Sequence, residues 1–269
     1  MSKTISGDKQ LYLRKIKPYQ STIDFMLKKE QKALESIDQN GFDASIRRMK
    51  LAEDMIYLAS NYITINGVSQ SMLKSRNEEA LNEGRRTLGK ALSYLEQVVS
   101  NYLDAAYSEY EEKLEEIVSI EPRDRYILAC KLGLCIGLLK DAYGDNFKWI
   151  WSFVELEGRF AIVTKNLLNL KKVVANTDPR SPDYEPTVRH LLLVKRLLNQ
   201  SANRYREKYE LSTKNIDDFK IGLNFLHALR RVNTLLGDRS DVEIVKKKLD
   251  AWNLKLEADI KKIKESIAE

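Results

Sequence analysis

Residue types that commonly carry catalysis or bind metal ions are few in this chain. The sequence has two histidines, His190 and His227, and two cysteines, Cys130 and Cys135. Neither histidine has a second ligating side chain three or four residues away, the spacing that places two ligands on one face of a helix. The sequence also has no glycine-rich phosphate loop and no Gly-x-Ser-x-Gly elbow. We therefore predict no catalytic residue, no metal ion and no cofactor.

The cysteines and the apolar runs indicate where the protein resides. Cys130 and Cys135 lie five residues apart, a spacing at which a disulfide within one helix has poor geometry, so we expect reduced core thiols. The first ten residues lack the apolar core of a signal peptide. The longest apolar run, 132–139, is far shorter than the ~20 residues that span a bilayer. These features predict a soluble, cytoplasmic protein with no transmembrane segment.

One lysine is unusual because it lies in a segment with no polar face. Between Tyr126 and Leu139 the sequence is apolar on nearly every side of a helix, which is typical of a helix at the centre of a domain. Lys131 is the exception in this segment. A buried ammonium without a partner is costly, so we expect a carboxylate to pair with it.

Candidate partners for Lys131 come from the segment KWIWSFVELEGRF, residues 148–160. Its aromatic residues alternate as in a strand, but over a longer window apolar residues recur at steps of four and three, which predicts a helix. A hairpin at 144–145 would pair two antiparallel helices and place Lys131 opposite Gly158. We therefore predict a buried polar layer that consists of Lys131, Glu155 or Glu157, and Arg159. This layer is either an ion pair that fixes the helix register or a functional pocket, unless Lys131 extends to solvent.

Basic residues cluster at several places on the predicted helices. The chain carries 45 basic and 39 acidic residues, and its net charge of +6 is a mild excess for a nucleic-acid-binding protein. One cluster is VKKKL at 245–249, and the others supply a candidate basic surface of Arg47, Arg48, Arg85, Arg86, Lys195 and Arg196. These side chains form solvated helix faces or, if they meet, a groove for nucleic acid or an acidic membrane surface. The acidic run at 108–121 would repel phosphate.

The elements that must position these residues are helices. Apolar residues recur at alternating steps of four and three through most of the chain, and glycine (11) and proline (5) are scarce. The pattern predicts about eight helices. Their approximate ranges are 9–38, 43–65, 76–118, 122–143, 146–175, 186–210, 214–236 and 240–267.

The predicted fold is all-α, with about eight long antiparallel helices in a bundle-like arrangement. The helices form a single domain over 1–269, either as one bundle or as two sub-bundles that divide near 119–122 and share the third helix. The apolar stripe of that helix shifts by one position midway, so the helix bends or packs on different partners along its length. Three of the five prolines lie in 176–186, which predicts an irregular loop that serves as a connector or docks a partner.

Local signals predict several helix boundaries. Glycines that would form left-handed caps at helix ends are Gly41, Gly67, Gly144 and Gly237. Pro18 is expected to break or kink the first helix near its start. Ser240 followed by Glu243 has the pattern of a capping box that opens the last helix.

These features lead to three hypotheses about function. The leading one is a non-enzymatic scaffold or adaptor protein that presents a helical groove or face to a partner protein. The first alternative is binding of a polyanion, either nucleic acid or an acidic membrane surface, through merged basic helix faces. The second alternative is a small-molecule pocket or an undescribed enzyme near Lys131 and Glu155. The pattern leaves the oligomeric state open.

Overall fold

The structure is a computed structural model that describes residues 2–37, 43–103, 111–144 and 147–268. The helices are α1 (Ser2–Ser36), α2 (Ala44–Leu73), α3 (Glu78–Val99), α4 (Glu111–Glu115), α5 (Pro122–Tyr143), α6 (Phe147–Leu167), α7 (Leu170–Asn176), α8 (Tyr184–Lys208), α9 (Ile216–Leu235) and α10 (Arg239–Ala268). A π-helical turn, Tyr209–Thr213, follows α8. The described ranges contain no β-strand, so the predicted all-α, bundle-like fold is confirmed.

The helices form two compact units. The first unit comprises Met1–Ser100 and Glu111–Ile150, and the second comprises Asn101–Tyr110 and Trp151–Glu269. The last of these boundaries lies within α6.

The first unit is built around α2 and α3, with α1 and α5 packed on them. Leu51, Met55 and Leu58 of α2 are buried, and so are Leu88 and Leu95 of α3. They are spaced by three, four or seven residues along each helix, which places them on its inner face. Burial of such stripes is the main source of stability in a helical bundle.

In the second unit, α9 packs against both α8 and α10. Its core contains Phe219 and Phe225 of α9 and Trp252 of α10. Gly222 lets α9 approach α8 closely, because a Cβ at this position would lie 3.0 Å from the backbone oxygen of Ala202. The absence of a side chain at Gly222 therefore sets the distance between these two helices.

The third helix is shorter than predicted. α3 ends at Val99, and Ser100 adopts a left-handed conformation with φ of +86°. The amide of Ser100 donates a hydrogen bond to the oxygen of Glu96 at 2.9 Å, which closes the last turn. The shift of the apolar stripe thus marks the end of a helix. The predicted fifth helix is also divided, because α6 ends at Leu167 and Asn169 caps a separate α7.

The predicted cap at Gly67 is wrong, and so is the alternative that Pro18 breaks the first helix. α2 continues through Gly67 to Leu73. Contacts with the residues that follow hold its last turns: the hydroxyl of Ser69 donates to the oxygen of Ser75 at 2.9 Å, and the side chain of Asn66 accepts the amide of Asn77 at 2.8 Å. α1 also continues through Pro18. Pro18 lies on an exposed face, where water can bond to the carbonyl group that the proline leaves without a helical donor.

The remaining boundary signals have mixed outcomes. Gly144 and Gly237 follow helices with positive φ of +62° and +70°, but Gly144, with ψ of −163°, does not have the left-handed helical conformation predicted for it. The prediction of a capping box at Ser240 is wrong, because α10 already begins at Arg239. Asp238 accepts the amide of Asp241 at 3.2 Å instead. The prediction for Gly41 concerns a residue outside the described ranges.

A substitution at Gly222 tests the close packing of the second unit. We expect Gly222→Ala to lower the free energy of unfolding by roughly 1 kcal/mol, because overpacking against a backbone oxygen exceeds the gain in helix propensity. Urea denaturation followed by circular dichroism measures this change. Gly89→Ala is the matched control: a Cβ there meets nothing within 4 Å, so we expect a gain of roughly 0.5–1 kcal/mol. Stabilisation by both substitutions would contradict the close approach of α8 and α9.

Candidate functional site

The structure places Lys131 at the surface, which was the alternative to a buried polar layer. Its side chain is 50% exposed, and its Nζ donates to the carboxylate of Glu53 on α2 at 2.6 Å. α5 is apolar on nearly every side but buries only one of them, so Leu134 and Leu138 are exposed as well. The ammonium therefore has a carboxylate partner within its own unit. The physical reason for predicting a layer with α6, an unpaired buried charge, no longer applies.

The three α6 residues of the predicted layer lie in the second unit. Glu155 is exposed, whereas Glu157 and Arg159 are half-buried. Glu157 lies 3.5 Å from the Nε of Arg204 on α8. Burial, followed by the negative charge of Glu155, raises the pKa of Tyr205 to about 12. Glu157 thus belongs to the contact between α6 and α8, and Glu155 lies near it.

Gly158, which was expected opposite Lys131, instead lies against an aromatic pair. A Cβ at Gly158 would be 2.9 Å from the ring of Tyr205, which stacks on Phe225 with ring centres 5.6 Å apart. The glycine therefore gives the Tyr205 ring access to the α6 backbone. The unusual composition of this segment is explained by packing.

Most members of the candidate basic surface are engaged by other side chains. Arg47 lies 3.9 Å from Asp43, and Arg86 lies 2.5 Å from Glu83. Lys195 contacts both Asp238 and Asp241, and the guanidinium of Arg85 lies 5.2 Å from the ring centre of Trp149. Of the remaining members, Arg196 is exposed and Arg48 is half-buried. Pairing with carboxylates reduces the positive potential that a polyanion would meet.

A groove between α1, α2 and α3 is a site that the sequence did not indicate. It encloses about 530 Å³ in the first unit. We call it the acidic groove and define it by its lining residues. Apolar and aromatic members are Ile16, Ile23, Ile65, Ala80 and Tyr62; polar members are Gln20, Asn77, Asp24, Glu79 and Glu83.

The geometry of the acidic groove follows from helical spacing and from one capping residue. Ile16 and Ile23 lie seven residues apart on α1, so both side chains turn toward α2 and α3. Asn77 caps α3, because its Oδ1 accepts the amide of Ala80 at 2.9 Å. Its own amide donates to the side chain of Asn66 on α2 at 2.8 Å, and its Nδ2 donates to the hydroxyl of Tyr12 on α1 at 3.1 Å. Asn77 thus joins all three helices that form the groove.

The acidic groove carries an excess of negative charge. Glu83 is paired with Arg86, but Asp24 and Glu79 make no ion pair within the part of the chain that the structure describes. Burial raises the pKa of Tyr62, and the charges of Glu83 and Asp24 raise it further. Nowhere in the described ranges do three acidic, histidine or cysteine side chains lie close enough to hold a metal ion. The groove therefore suits a ligand whose positive charges are spread along an apolar body.

Sequence reasoning missed the acidic groove for a physical reason. Its carboxylates come from two helices that are distant in sequence, and each lies on an ordinary amphipathic face. The one local signal is the spacing of Glu79 and Glu83, which places two carboxylates on the same side of α3. This spacing is common on solvated helices, so it does not identify a site by itself.

Comparison with known proteins identifies one matching family. The model of the TP0443 family matches residues 8–260 of the chain. The chain belongs to the TP0443 family. No curated protein matches it, and no solved structure does. In this TP0443-family chain all residues that line the acidic groove fall within the matched range. Among the helices of the described ranges, none combines the length and apolar character that crossing a membrane requires.

The Lys131–Glu53 salt bridge can be tested through its pH dependence. Hydrogen bonds from Lys131 and then Lys50 hold the pKa of Glu53 below its ordinary 4.5. Such a group stabilises the fold above its unfolded pKa, and the effect is lost as the pH falls through its folded pKa. We therefore expect Lys131→Met to raise the pKa of Glu53 and to cost less than about 1 kcal/mol at pH 7, because solvent screens the pair.

The measurement is urea denaturation of both proteins from pH 7 to pH 3, with NMR titration of the Glu53 carboxyl. The stability difference should shrink as the pH falls below 4.5. Lys28→Met, at an exposed position of α1, is the control and should leave the titration of Glu53 unchanged. A stability difference that does not change with pH would contradict the salt bridge.

Proposed function

We propose that this protein is a non-enzymatic interaction protein whose acidic groove holds a basic, partly apolar segment of another protein. The observation that carries the proposal is a groove of about 530 Å³ with isoleucines on its walls and two carboxylates, Asp24 and Glu79, without an ion pair in the described residues. A bound cation would supply the missing counter-charges. Apolar stems would at the same time cover Ile16, Ile23 and Ile65.

Lysine and arginine side chains have the composition that the acidic groove requires. Their alkyl stems pack on apolar surface while their charged heads extend to carboxylates or water. The carboxylates come from both α1 and α3, so a segment lying along the groove would present charges to both walls. The recognition mode would be the docking of a basic amphipathic segment into a helical groove.

The other functional hypotheses receive less support. The groove repels phosphate, and three members of the candidate basic surface, Arg47, Arg86 and Lys195, lie beside carboxylates. Lys131, around which a reactive pocket was considered, is engaged by Glu53. The balance of these observations favours binding of a basic protein segment.

Charge removal from the acidic groove tests the proposal. The probe is a labelled peptide of alternating lysine and leucine pairs, and its affinity for the full chain is measured by fluorescence anisotropy. We expect the double substitution Asp24→Asn, Glu79→Gln to weaken binding about tenfold, because two counter-charges are lost. Binding to the unsubstituted protein should weaken between about 50 and 200 mM salt.

The matched control is the double substitution Asp8→Asn, Glu35→Gln, which removes the same charge from exposed positions of α1 that do not line the groove. It should leave the affinity within twofold of the original. Equal weakening by both double variants would show that only net charge matters and would overturn the proposal. Spermine binding as tightly as the peptide would also overturn it, because the groove would then serve a small polyamine.

A further inference from the structure

A series of polar contacts links α8, with the turn that follows it, to α10 in the second unit. Near one end Lys195 of α8 contacts Asp241 at 2.5 Å. Near the other end Lys255 lies 3.7 Å from Glu210 and 3.5 Å from Asp259. In both places the cation is balanced by a carboxylate.

Between these two ends lies a contact in which, within the described part of the chain, the lysine has no carboxylate partner. Lys248 of α10 donates to the side-chain oxygens of Asn199 and Asn203 on α8, at 2.9 and 2.8 Å. Both acceptors are neutral amides, and Lys248 has no carboxylate partner among the described residues. Asparagine oxygens satisfy the donor but leave its charge uncompensated.

Near Lys248 lie a second cation and an aromatic ring, whose face attracts cations but carries no net charge. The Nζ of Lys248 lies 4.9 Å from the ring centre of the buried Trp252, and the guanidinium of Arg206 lies at the same distance from that ring. The charge of Arg206 is balanced by Glu210 at 2.9 Å. Partial burial, followed by the charge of Arg206, lowers the pKa of Lys248. A bound anion would favour the charged form of Lys248 and so oppose both effects.

We propose that Lys248, Asn199 and Asn203 form a binding site for a tetrahedral oxyanion of the phosphate type, either free or as the terminal group of a small molecule. Two of the three ammonium donors go to the asparagine oxygens, which leaves one for an anion, and the nitrogen of each asparagine amide supplies two more. Donors from two helices suit an anion with four oxygens. Asn199 is exposed and the other two residues are half-buried, so the anion enters from solvent. The site lies in the second unit and is independent of the acidic groove.

The probes are inorganic phosphate and methyl phosphate, added to the full chain labelled with ¹⁵N. We expect saturable shifts of the side-chain amide signals of Asn199 and Asn203. Lys248→Met should weaken binding at least tenfold. The matched control is Lys247→Met, which removes an adjacent, exposed positive charge and should change the affinity less than twofold. Tighter binding of methyl phosphate would assign the site to a monoester, and tighter binding of phosphate to the free ion.

A second variant distinguishes anion binding by Lys248 from a purely structural role of this residue. Asn203→Asp places a carboxylate beside the ammonium, so it should abolish phosphate binding, raise the pKa of Lys248 and raise the melting temperature. Phosphate binding that survives in this variant would overturn the proposal. Equal weakening by Lys247→Met and Lys248→Met, or shifts that do not saturate, would also overturn it.

Discussion

The acidic groove depends on how α1 is held against α3 at two points. At one point Asn77 caps α3 and binds Asn66 and Tyr12. At the other, the buried carboxylate of Glu30 accepts the hydroxyl of Tyr94 at 2.6 Å and the ammonium of Lys90 at 3.0 Å. A buried polar group without its partner is destabilising by about 1–3 kcal/mol, so both contacts constrain the position of α1. The groove residues of α1 lie between them in sequence.

This arrangement separates the polar groups that hold the fold from those that are free to bind. Asp218 of α9 is buried and accepts from Lys208 at 2.8 Å and from Thr213 at 2.6 Å. Glu30 is satisfied in a similar way by its two donors. Asp24 and Glu79 have no such partner in the described residues, although they line a cavity with apolar walls. Both carboxylates are exposed, so water solvates them and a cationic ligand can reach them.

Much of the fold can be predicted from local sequence patterns, and the predictions that are wrong have physical causes. The inner faces of α2 and α3 and the positive φ values of Gly144 and Gly237 are predictable because they depend on neighbours along the chain. The end of α3 is not, because Ser100 carries no residue-type signal for its left-handed conformation. Lys131 shows a different limit of prediction from sequence. A helix that is apolar on every side gives no indication of which side will be buried, and α5 leaves Lys131 on the exposed one.

The acidic groove could not be predicted from local sequence patterns, because three helices must assemble before its carboxylates share a cavity. The most direct test of the account is therefore a map of where a basic segment binds. The peptide of lysine and leucine pairs, carrying a paramagnetic label, is added to the ¹⁵N-labelled full chain. We predict signal loss at Gln20, Tyr62 and Asn77, which line the groove. Signal loss confined to the exposed face of α5 at Leu134 and Leu138, with the groove unaffected, would contradict the account.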